Sequence, residues 1–250
     1  MKNKTITDII NLKNEEKYAE AIKKAASAFK MYKDNCFYNE IYDCLIRQNK
    51  RNDAIKILEK MLKLEPESIT INKRLAYNYF SLNNYKQALK YYKFVIELEP
   101  LSSQNYFNAG SMYHYLKDYK KAYHYYYTSM KLNPKNILAF NNLGIVYYET
   151  KNYEQALDIF QKAISLDAQH PEAYHHFGVI MREYKKDLEL SELYLKKAIM
   201  LDTDYADNYY QLALTQIAAN KTQDAIDSIR KCLEINSHHK LCLKLIKQVN

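Results

Sequence analysis

The chain of 250 residues contains three glycines, four prolines and no tryptophan. So little glycine and proline leaves no flexible linker and no low-complexity tract. The four cysteines, Cys36, Cys44, Cys232 and Cys242, form no CxxC pair. That spacing favours reduced core or surface thiols, as in a cytosolic protein, over a disulfide framework. The opening stretch MKNKTITDIINLKNEEKYAE lacks the apolar core of a signal peptide, and no apolar run approaches a membrane span. We therefore expect a cytoplasmic chain without membrane insertion. Glycine-rich phosphate loops, HExxH and GxSxG are all missing. Neither catalysis nor a cofactor is expected. His175 and His176 are adjacent, so they diverge by about 100° on a helix and cannot chelate as an i, i+4 pair. His238, His239 and Cys242 cluster near the end without a fourth ligand in view, so no metal is expected either.

What the chain has is a repeat. The stretch from Ile137 to His170 reads as two short amphipathic helices and a turn. Phe140, Leu143 and Tyr147 share one face of the first helix, with Gly144 beside them to admit a close neighbour. Asn152, followed three residues on by Gln155, predicts a capping box for the second helix. Ala156, Phe160 and Ala163 give that helix a small–large–small inner face. A 34-residue shift carries Gly144 onto Gly110 and Gly178, Ala156 onto Ala88 and Ala122, and Phe160 onto Tyr92 and Tyr126. Pro66, Pro100 and Pro134 recur at the same spacing, where a locked φ and a missing N–H stop a helix.

On these small-residue columns, the aromatic column of Tyr38, Tyr106, Phe140, Tyr174 and Tyr209, and the closing prolines, the sequence resembles the tetratricopeptide repeat (TPR) family over nearly its whole length. The tryptophan usual in the aromatic column is replaced throughout. The resemblance implies an all-α fold: a right-handed α-solenoid of stacked antiparallel helix pairs, each stabilised by its neighbours. The frame gives a degenerate first unit at 1–34, then units at 35–68, 69–102, 103–136, 137–170, 171–205 and 206–239. The sixth holds one extra residue, placed in the turn around Tyr184–Lys186. Residues 240–250 read as a capping helix.

Charge is uneven. Residues 69–136 carry ten basic against three acidic side chains, and residues 137–205 seven against eleven. The basic middle could steer an acidic partner, although Lys86, Lys90, Lys93, Lys120 and Lys121 fall on second helices, which face outward in this architecture.

First helices line the concave side of such a stack. One inward column reads Glu40, Arg74, Asn108, Asn142, His176, Gln211; its neighbour reads Asn39, Lys73, Phe107, Asn141, His175, Tyr210. Amide side chains donate and accept together, so such a row can pair with the backbone of an extended peptide. Flanking aromatics supply stiff contact area. The predicted peptide-binding residues are Lys73, Arg74, Tyr77, Phe107, Asn108, Asn141, Asn142, His176 and Tyr210. A TPR subclass that grips a chaperone's C-terminal carboxylate uses Lys and Asn, then Asn, then Lys and Arg. This chain offers Lys73 and Tyr77, then Asn108, then Leu138 and Asn142, and two matches of five are too few for carboxylate binding.

The expected function is therefore a non-catalytic adaptor holding a peptide segment of a protein partner. RNA binding through the basic, Tyr-rich middle is the second reading, weakened because the columns vary too much for a base-reading code. Self-association is the third, and the sequence leaves the oligomeric state open.

Overall fold

The structure is a computed structural model that describes residues 1–249. Asn250, the last residue of the expected capping helix, lies outside the described residues. Fifteen α-helices and one π-helical turn make up the regular structure, with no strand among the described residues. The chain divides into two compact units, Met1–Asp118 and Tyr119–Asn250. The first holds α1 (Lys2–Asn14), α2 (Tyr18–Tyr32), α3 (Cys36–Arg47), α4 (Arg51–Leu64), α5 (Ile69–Ser81), α6 (Tyr85–Leu98) and α7 (Ser103–Tyr115). The second holds α8 (Tyr119–Leu132), α9 (Ile137–Glu149), α10 (Tyr153–Leu166), α11 (Pro171–Ile180), α12 (Leu188–Leu201), α13 (Ala206–Ala218), α14 (Thr222–Ile235) and α15 (Lys240–Val249).

The small-residue columns are buried. In the first unit Ala54, Ala76 and Ala88 are fully enclosed; in the second so are Ala122, Ala156, Ala163 and Ala225. The two glycines of the second unit mark the closest approaches. A Cβ at Gly144 would sit 2.6 Å from the Phe160 ring, and one at Gly178 would sit 2.8 Å from Leu195 Cγ. Helices α9 and α10, and α11 and α12, thus touch where only a hydrogen fits.

Every turn inside a helix pair passes through the left-handed region, yet none does so on glycine. Asn49, Asn83, Lys117, Lys151, Lys186 and Asn220 hold φ between 56° and 61°. An L side chain in that conformation is strained by roughly 1–2 kcal/mol. Glycine removes the strain but adds entropy to the unfolded chain. Lys151→Gly is therefore expected to stabilise the protein by about 0.5–1 kcal/mol. Urea denaturation reads this directly, and a lowered midpoint would show that Lys151 is not strained there.

Two local expectations are corrected. Asn152 stands at the start of α10 but makes no capping bond; its Nδ2 donates to Thr150 Oγ1 at 2.9 Å, which turns the amide away from the helix. Asn84, Asn136 and Asp187 do cap, accepting from Gln87 N, Ala139 N and Leu190 N. The extra residue of the sixth unit does not simply lengthen a turn. It accompanies a π-helical stretch, Met181–Lys185, at the end of α11, where one wider turn absorbs one residue.

Candidate functional site: the faces of the first helices

In the first unit the first helices are tied to one another by polar side chains. Lys13 of α1 reaches Glu40 Oε2 at 2.6 Å and Asp43 Oδ2 at 3.2 Å on α3. Burial opposes the charge on Lys13, but the two carboxylates outweigh it and raise its pKa. Arg74 of α5 donates to Asn39 Oδ1 at 2.6 Å and lies 4.9 Å from the centre of the Tyr42 ring. Asn78, fully buried, donates to the Tyr42 hydroxyl at 3.1 Å. Further along, Phe80 and Tyr85 pack on Tyr115 with ring centres 5.6 Å and 4.7 Å away.

This geometry divides the predicted residues of the first unit. Lys73 is ion-paired with Glu99 at 2.6 Å. Lys73 and Asn105 together hold the Glu99 carboxyl below its usual range. Arg74 is a strut between α3 and α5. Tyr77 remains 53% exposed, flanked by the Arg51 guanidinium 5.8 Å from its ring centre. Phe107 is half-buried on α7, and Asn108 accepts one bond from Gln104 Nε2 at 3.0 Å.

The second unit repeats the pattern. Tyr148 of α9 donates to Glu183 Oε2 at 2.7 Å. Arg182 donates to the backbone and side-chain oxygens of Gln211 on α13 at 2.9 Å and 2.7 Å. His175 Nδ1 meets Asn208 Oδ1 at 2.7 Å. His176 is not poised for polar contact. Its ring stacks on Phe160, centres 5.3 Å apart and planes 15° apart, and desolvation lowers its pKa from 6.5 to about 3. It behaves as a neutral, largely apolar residue. Asn142 donates to the Leu138 carbonyl of its own helix at 2.8 Å, and Leu138 itself is 50% exposed. Asn141 is buried with its Oδ1 lacking any hydrogen-bond partner. Tyr210 is half-buried against His239, ring centres 5.4 Å apart, and burial raises its pKa.

Several features escaped the sequence reading. The struts from Lys13 and Arg182 were not expected, because their partners lie about thirty residues away in the chain. A cleft of about 830 Å³ in the first unit lies between second helices, with Lys56, Lys60, Lys63 and Lys90 around Leu62, Pro66, Tyr91 and Phe94. Of these lysines only Lys90 figures in the sequence reading, as a residue on an outward-facing second helix. Near the chain end, His239 and Cys242 gather with Cys232 rather than with His238. The signal was Cys232 itself, which occupies a small-residue position on the preceding helix.

Stacked helix pairs, cross-linked by polar struts and closed by recurrent left-handed turns, define a helical-repeat scaffold. Three family profiles, each describing the tetratricopeptide repeat, match residues 45–105, 99–169 and 206–239. The chain belongs to the tetratricopeptide repeat family. Arrays of this family are generally non-catalytic scaffolds that bind protein partners, and in those general terms this chain is a protein-interaction scaffold. No curated protein sequence matches it. Among solved structures it is similar to a tetratricopeptide repeat protein from Parabacteroides merdae ATCC 43184, at 17% identity over 99% of this chain and 98% of that one, with a TM-score of 0.74. It is similar also to a chain of the APC/C hetero-tetramer Cut9–Hcn1, at 17% identity and TM-score 0.71, covering 96% of this chain and 48% of that one. YrrB, described as a TPR protein with an unusual peptide-binding site, aligns at 23% identity and TM-score 0.57 over 76% of this chain and 97% of its own. These likenesses establish the fold. Among the described residues no helix is long and apolar enough to cross a membrane.

Proposed function

We propose that the chain is a non-catalytic adaptor that holds an extended peptide segment of a protein partner along the faces of its first helices. In this reading the candidate contacts lie on α5 and α7 of the first unit and, separately, on α9 of the second. The observation that carries it is a division of labour on those faces. Lys73, Arg74 and His176 are spent on neighbouring side chains. Tyr77 and Asn108 in the first unit, and Leu138 and Asn142 in the second, keep open contact area or hydrogen-bonding groups beyond one local bond. An amide that makes one local bond still offers further donors or acceptors, so Asn108 and Asn142 are suited to pair with a peptide backbone, whereas Asn141 is enclosed and does not face a ligand. YrrB supplies a precedent for peptide binding in a protein of this fold.

The test is affinity capture from native lysate, with protein and RNA both identified. Wild type is run beside Tyr77→Ala/Asn108→Ala and Leu138→Ala/Asn142→Ala variants shown by circular dichroism to be folded. A peptide-mediated partner should be held more than about fivefold less tightly by at least one variant, as for a truncated interface anchor. Unchanged capture by both variants would defeat the proposal. Salt-sensitive RNA in place of protein would favour the nucleic-acid reading.

A further inference from the structure

Three residues from two neighbouring segments of the second unit converge at its C-terminal helices. Cys232 lies on α14, His239 immediately precedes α15, and Cys242 sits in the first turn of α15. Their two sulphurs and one imidazole nitrogen lie within 4.8 Å of one another. Both cysteines are completely buried. A fourth residue orders the imidazole. Asp207, at the start of α13, meets His239 Nε2 through Oδ1 at 3.0 Å. A carboxylate can only accept there, so Nε2 carries the proton and Nδ1 keeps its lone pair. Nδ1 faces the turn that carries Cys242, whose backbone N–H lies 3.1 Å away.

We propose that Cys232, Cys242 and His239 Nδ1 bind a zinc ion, with Asp207 as the outer carboxylate that orients the histidine. Two sulphurs and an imidazole suit a thiophilic ion of tetrahedral preference. A carboxylate on the far nitrogen of a ligating histidine is the usual supporting contact at such sites. Binding displaces both thiol protons and the capping bond from Cys242 N–H to Nδ1, and leaves the fourth position to water. The structural benefit is local. The apolar cluster here is small, and α15 leaves Leu241 and Leu243 largely exposed. A metal ion would join α14 to α15 directly and engage α13 through Asp207.

The experiment uses the full chain, reduced and stripped of metal, titrated with Co²⁺ alone and then with Zn²⁺. One equivalent of Co²⁺ should give the intense ligand-field bands and thiolate charge transfer of a tetrahedral site, and Zn²⁺ should bleach them. Asp207→Asn should weaken metal affinity about 10- to 100-fold. Cys36→Ala/Cys44→Ala and His238→Ala should leave it unchanged. Cys242→Ala should abolish it. Should that variant fail to fold, X-ray absorption of the zinc-loaded wild type should resolve two sulphurs at about 2.3 Å and a histidine nitrogen at about 2.0–2.1 Å. Absence of tetrahedral bands, their survival in folded Cys242→Ala, or a zinc shell without two sulphurs would each overturn the assignment.

Discussion

Phe160→Ala should lower the unfolding free energy by about 3–5 kcal/mol, as for other buried phenylalanines truncated to alanine. Phe160 is fully buried, and its ring meets two partners that cannot follow it into a void. One is the backbone of α9 at Gly144, so close that a Cβ there would fall 2.6 Å from ring carbon Cε1. The other is His176, stacked on the ring from α11. One side chain of α10 thus secures the first helix of its own pair and that of the next. Gly144→Ala probes the same contact from the opposite side and should cost about 1–3 kcal/mol by overpacking. A smaller ring-site residue makes room for the added methyl, so Gly144→Ala should cost less in a Phe160→Leu background than in wild type. Urea titrations of the four proteins give the coupling. A loss below about 1 kcal/mol for Phe160→Ala would mean that α9, α10 and α11 are held together elsewhere.

The second large effect is a dependence on acid. Folded His176 has a pKa of about 3 against an ordinary 6.5, because burial disfavours its cation and His175 beside it adds a smaller effect in the same direction. Between these values the unfolded chain binds a proton that the folded chain refuses. Stability is therefore full above 6.5 and falls as the pH drops toward 3, by at most about 1.4 kcal/mol per pH unit from this residue. With the side chain only half-buried, the total from about pH 7 to about pH 4 should be on the order of 1–3 kcal/mol. His175 also has a lowered pKa, through burial opposed by Asn208, and contributes with the same sign. Carboxylates such as Glu99 lose their partners in the same direction, so the acid limb of wild type alone is not diagnostic. Comparison with His176→Leu isolates the residue, because the variant should lose less stability on acidification. Parallel pH profiles for the two proteins would place the imidazole in water.

The sequence disclosed the fold through positions whose partners lie in the same or the next helix. Gly144, Ala156 and Phe160 sit at fixed offsets, and close packing allows little else there. The turns were less legible. Left-handed turns are normally signalled by glycine, and Asn83, Lys117 and Lys151 adopt that conformation without it. The functional face was legible only in outline. Column positions named residues that first helices present, but not which of them neighbouring side chains consume. Arg74 looks like a ligand contact until Asn39 and Tyr42 are found on either side of it. His176 looks polar until it is stacked on Phe160. Cys232 belonged to a packing column and also to a ligand set, and one letter cannot report both.

The most direct test of the binding face is site-specific photo-crosslinking in native lysate. A benzophenone amino acid replaces Tyr77 on α5 or Leu138 on α9, and in parallel Lys93 on α6 or Lys162 on α10, which are exposed on second helices. Protein adducts from Tyr77 or Leu138, with none of the same partner from Lys93 or Lys162, are the expected result. A partner that crosslinks only through Lys93 or Lys162 would contradict the account and assign binding to the second helices.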